Sequence, residues 1–136
     1  MSLRRPALVT AAAASVAAAA LAAPAAARLL PTHLPPPRHR SLAVDEREWS
    51  VRPSHAGLAR GRVRITVYNR GMDDHDLAIA APDGTIVGRV SVSAGRSATF
   101  SPVLRRAGRY RLYCTLFAGT PDAHVARGML ATIVVR

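Results

Sequence analysis

Cys114, the only cysteine of the chain, is followed ten residues later by His124 and five after that by Met129. A thiol, an imidazole and a thioether gathered in Y-C-T-L-F-A-G-T-P-D-A-H-V-A-R-G-M make a soft set of metal ligands. A second histidine would complete the list His, Cys, His and a weak Met, the trigonal donor set that suits copper and one-electron chemistry. His75, in D-D-H-D-L-A-I-A, is the partner at hand. A Cys-His hydrolase needs in addition a base held by a third group and a substrate cleft, and neither is evident in so short a chain.

These four residues lie far apart in sequence, so a fold must collect them. Val63, Ile65 and Val67 alternate with Arg62, Arg64, Thr66 and Tyr68, and Asn69-Arg70-Gly71 ends that strand. Leu77 and Ile79 repeat the pattern before the turn Pro82-Asp83-Gly84-Thr85. Further strands are expected around Glu46 to Val51, from Ile86 to Val92, at Ala98 and Phe100, from Tyr110 to Cys114 and from Leu130 to Val135. About seven short strands with regular turns predict a two-sheet antiparallel sandwich. Cys114 shares the face of Tyr110 and Leu112, which aims its sulfur inward. One short helical turn is expected in the loop that carries His124, with Thr120 as its N-cap, Pro121 at its first position and Gly128 just past its end.

The amino end has a different character. Arg4 and Arg5 precede an alanine-rich apolar run, and Ala25-Ala26-Ala27 offers a small-residue cleavage site, the order of a secretory signal over residues 1–27. The alternative is an uncleaved membrane anchor, because the run approaches the roughly 20 residues that span a bilayer. Residues 28–41 then form a linker with prolines at 31, 35, 36 and 37. Residues 42–136 remain as one domain. The chain is thus expected in the periplasm or outside the cell, where an unpaired cysteine needs an explanation such as metal ligation.

The formal charge is +11, all 19 basic residues being arginine, and removal of Arg4 and Arg5 leaves +9. The arginines are scattered along the strands without interleaved aromatics. They describe a solvated basic surface that could steer an acidic partner rather than a nucleic-acid site.

The ordered set W-S-V-R-P-S, G-R-V-R-I-T-V-Y-N-R-G, H-D-L-A-I, G-R-Y-R-L-Y-C and G-M-L-A-T-I-V-V resembles the cupredoxins, the small type 1 copper proteins, over most of the mature domain. The resemblance implies an all-β, two-sheet Greek-key sandwich with one copper ion held by His75, Cys114, His124 and, weakly, Met129. It implies an electron carrier rather than an enzyme, a monomer that exchanges electrons with a protein partner through the exposed edge of His124. A periplasmic copper chaperone or copper-resistance protein would use the same ligands. Neither nucleic acid nor a membrane is expected as a partner, the latter unless the amino-terminal segment stays uncleaved.

Two features depart from the family pattern. Nine residues separate Cys114 from His124, where relatives often have two to four. Asp76 follows His75 where the family commonly has asparagine. A carboxylate there can still accept hydrogen bonds from the Thr115 region.

Overall fold

The computed structural model describes residues 39–136, so the expected signal over 1–27 and most of the expected linker lie outside the described residues. The first strand, β1 (Ser41–Arg47), starts one residue ahead of the expected domain boundary. It alternates outward Ser41, Ala43 and Asp45 with inward Leu42, Val44 and Glu46, so one of its core positions holds a carboxyl group. The chain turns at Glu48 and Trp49 into β2 (Ser50–Pro53), breaking the single strand expected from Glu46 to Val51 into two.

After two-residue strands β3 (Gly57–Leu58) and β4 (Gly61–Arg62) comes β5 (Arg64–Asn69), whose Ile65 and Val67 are fully buried. β6 (His75–Ala80) is buried at every position, as befits a strand covered on both faces, and β7 (Ile86–Val92) pairs with it antiparallel. β8 (Ser97–Phe100) and the short β9 (Val103–Leu104) lead to β10 (Gly108–Tyr113) and the closing β11 (Leu130–Val135).

Two sheets and one small ladder result. The first sheet has the order β2-β1-β5-β8, the second β3-β11-β10-β6-β7, and β4 pairs with β9. The expected sandwich is present with two corrections. Its strand segments number eleven among the described residues, since several are only two residues long. Its sheets are mixed rather than antiparallel throughout, because β1 runs parallel to β5 and β11 parallel to β3. Parallel neighbours arise where the chain crosses between the sheets instead of folding back through a hairpin.

The core lies between the layers, with Leu42, Val44, Ile65 and Val67 from one sheet facing Leu77, Ile79, Leu112 and Ile133 from the other. Tyr110 is buried as well, and its hydroxyl donates to the carbonyl of Arg106 at 3.0 Å, leaving no orphaned phenol. Among the described residues no helix is long and apolar enough to cross a membrane.

Candidate metal centre

In the second sheet β6 lies beside β10 and β10 beside β11. Because these pairs are antiparallel, the start of β6, the end of β10 and the start of β11 meet at one end of the sandwich. Tyr113 pairs with Leu130 on one side and Ala78 on the other. One step further, the Cys114 amide donates to the Met129 carbonyl at 3.2 Å. A second step sets Thr115 against Asp76, where its amide donates to Oδ1 at 2.5 Å and its hydroxyl to Oδ2. Strand register alone therefore places His75, Cys114 and Met129 together, and Asp76 ties the segments at the position where the sequence suggested it.

The turn before β6 aims His75. Asn69, 2% exposed, donates through Nδ2 to the carbonyls of Asp73 and Val92 at 2.8 and 2.9 Å. Its Oδ1 accepts from the Gly71 amide at 2.9 Å. A side-chain amide that makes two hydrogen bonds within the bend and a third to β7 fixes the path by which the chain enters β6.

His124 arrives on the long loop. The expected helical turn takes the form of consecutive tight turns rather than a helix. The Thr120 hydroxyl accepts from the Asp122 amide at 3.2 Å, and further bonds run from Ala126 to Ala123 and from Gly128 to Val125. The loop is fastened to the site at His124 itself, whose amide donates to the Leu116 carbonyl and whose carbonyl accepts from the Met129 amide. These two bonds absorb the extra loop length, so nine intervening residues still return His124 to Cys114.

His75 Nδ1 stands 3.3 Å from His124 Nδ1, which in turn stands 3.4 Å from Cys114 Sγ. Donor atoms of these three residues all fall within 4.8 Å of one another, and all three side chains are buried. Metal–nitrogen bonds of about 2.0 Å at angles between tetrahedral and trigonal separate their nitrogens by about 3.3–3.5 Å. Those two spacings fit one small metal ion. Met129 is fully buried and continues the core beside Cys114.

Electrostatics agree with the geometry. Burial pushes the Cys114 thiol up from 9.0 to about 11, so without a cation it stays protonated at neutral pH. A coordinating metal reverses this, because a thiol bound to a metal ion loses its proton. His124 is lowered first by burial and then by the neighbouring His75, which keeps it neutral with a lone pair available.

One expectation fails. The edge of His124 is not exposed; the residue is 4% accessible. Trp49 packs edge-on against it with ring centroids 4.9 Å apart, and Phe117 covers another side at 5.3 Å. Trp49, half-buried against the hydrophobic core, thus also covers the site, and Arg127 stacks on its ring at 4.6 Å. Phe117 takes a positive φ of 56° and is 60% exposed, so it closes the site from a backbone conformation that side chains disfavour.

Two acidic residues near the site carry no role in the sequence analysis. Glu46 is 0% exposed, and among the described residues neither of its oxygens has a hydrogen-bond partner. Burial above all, with Asp76 nearby, raises its carboxyl from 4.5 to about 8. The sequence held a signal, since Glu46 continues the inward alternation of Leu42 and Val44. Glu48 hangs over the His75 turn, and its contacts there have no sequence signature. The remaining described histidines, His39 and His55, stack on each other at 4.3 Å and take no part in the cluster.

No family model matches the sequence, and comparison with curated proteins gives no match. Solved structures do match. Auracyanin from the photosynthetic bacterium Roseiflexus castenholzii, in a dithionite-reduced crystal structure, superposes with a TM-score of 0.58 at 16% identity, over 71% of this chain and 97% of its own. Auracyanin B gives 0.56 at 16% identity, over 71% and 88% of the two chains. Auracyanin A of Chloroflexus aurantiacus, described as a "blue" copper protein, gives 0.53 at 13% identity, over 71% and 98%. The chain is a two-layer β-sandwich with a buried nitrogen and sulfur donor set at one end. Its fold is that of the cupredoxins.

Proposed function

We propose that the protein is an exported mononuclear type 1 copper protein that carries single electrons between redox partners. The observation that carries this reading is the convergence of His75 Nδ1, Cys114 Sγ and His124 Nδ1 within 4.8 Å in a buried pocket of the cupredoxin fold. Two imidazoles and a thiolate are the donors that select copper for electron transfer, and Met129 would add a weak thioether.

Copper bound here would supply a one-electron couple. The chain's own residues hold the two rings and the sulfur at nearly their ligating separations before any metal arrives, which keeps rearrangement between oxidation states small. Burial keeps water off the donors. Asp76 bonds to Thr115 and locks the His75 and Cys114 segments together.

Burial also favours a carrier over a copper chaperone. Handing copper to a partner requires donors that the partner's ligands can reach, yet Cys114 is 0% and His124 4% exposed. Export rests on the amino-terminal sequence pattern, and a protein partner with an acidic docking surface on the scattered arginines.

Copper(II) titration of the purified domain tests the reading. Wild type is expected to develop an intense visible thiolate-to-copper band at one equivalent and a reversible one-electron wave, and Cys114→Ser to lose the band. Equal colour in both proteins, or tight copper binding without a reversible couple, overturns it.

A further inference from the structure

Glu48 sits in the turn between β1 and β2, far in sequence from the bend that delivers His75, yet its carboxylate is built into that bend. Oε1 accepts from the amides of Met72 and Asp73, each at 2.8 Å. The carboxylate lies directly on Gly71, where a Cβ would come within 2.6 Å of Oε2. A side chain there would push the carboxylate out of the bend.

The same Oε1 stands 3.3 Å from Nε2 of His75, the ring nitrogen that faces away from the donor cluster. Nε2 is buried and forms no hydrogen bond among the described residues, so the Glu48 carboxylate meets it as a charged neighbour. The imidazole thus spans two groups, Nδ1 toward Cys114 and His124 and Nε2 toward a carboxylate. Backbone donors hold that carboxylate in place.

We infer that Glu48 is a positioning residue for the metal centre, keeping the proton of His75 on Nε2, freeing Nδ1 for copper and favouring the oxidised ion by its fixed negative charge. This rests on the copper reading above. A ligating histidine whose other nitrogen meets a carboxylate has its tautomer and ring orientation fixed and its basicity raised. The charge lies on the far side of the ring from the donors, so it acts through the imidazole and touches no metal itself. A bland alternative exists, in which Glu48 only anchors the bend through Met72 and Asp73. Glutamine separates the two, because its amide oxygen can keep both backbone bonds while the charge is lost.

The experiment compares wild type with Glu48→Gln. In the metal-free protein, nitrogen-15 NMR of the His75 ring reads the tautomer directly. Wild type is expected to hold the Nε2–H form, and the variant to show a mixture. In the copper-loaded protein the visible band should persist, while the preference for Cu(II) over Cu(I) falls by about tenfold, at the lower end of the range for such outer partners. Tenfold corresponds to an upward shift of about 59 mV for one electron. An unchanged tautomer and an unchanged potential in a variant that retains the band overturn the inference and leave Glu48 a loop anchor. If wild type binds no copper, the functional reading fails, while the metal-free tautomer still decides whether Glu48 governs His75.

Discussion

Glu46 makes the stability of the metal-free protein depend on pH in a way that one substitution should abolish. Its carboxyl titrates at about 8 in the folded chain against 4.5 when unperturbed, chiefly because burial disfavours the anion. The folded state therefore binds a proton that the unfolded state has released. Stability is full below about pH 4.5 and falls as pH rises toward about 8, at about 1.4 kcal/mol per pH unit. Over that window the loss is about 5 kcal/mol, comparable with the whole stability of a marginal domain. His124, lowered by burial, works in the opposite direction near neutrality, so the measurement must be a difference between proteins. Urea unfolding of metal-free wild type and Glu46→Gln, run from about pH 5 to about pH 8.5, supplies it. The Gln variant is expected to be less stable at the acid end, where it buries an unpaired amide, and to overtake wild type at the alkaline end. Parallel pH profiles for the two proteins would refute the assignment of a neutral, buried acid at this position.

Two further outcomes follow from neighbouring residues. Asp76→Asn should fold normally, since the Thr115 hydroxyl can turn to accept from the new amide, but it removes the charge that helps raise Glu46. The pH-dependent fall in stability should then end below about pH 8, and an unchanged endpoint in the same urea series would exclude the coupling. Phe117→Ala should uncover His124 and quicken oxidation of the copper(I) protein by ferricyanide in stopped flow, because the reagent can approach closer to the ring. An unchanged rate would mean that electrons do not leave through this side.

Most of the site was legible because strand alternation and strand register are local rules. Cys114 follows Tyr110 and Leu112 inward by period two, and the antiparallel pairing of β6, β10 and β11 then forces His75 and Met129 to the same end. The parallel pairing of β1 with β5 was not legible, since periodicity shows which face is buried and not which neighbour a strand takes. The break at Glu48 and Trp49 was hidden for a related reason: a turn without glycine or proline leaves no punctuation. His124 was placed correctly as a companion of Cys114 and wrongly as an exposed edge. Its cover comes from Trp49, 75 residues earlier in the chain, and only tertiary structure brings the two rings together.

Trp49 is the only tryptophan in the protein, and its ring lies against one of the proposed ligands. Intrinsic fluorescence is thus a single-site gauge of the centre, with no second indole to dilute the signal. Binding of a paramagnetic ion beside His124 should extinguish the emission in step with loading. A metal such as zinc, which does not quench, should leave it bright. Occupancy can then be followed on unlabelled protein at concentrations too low for the visible band.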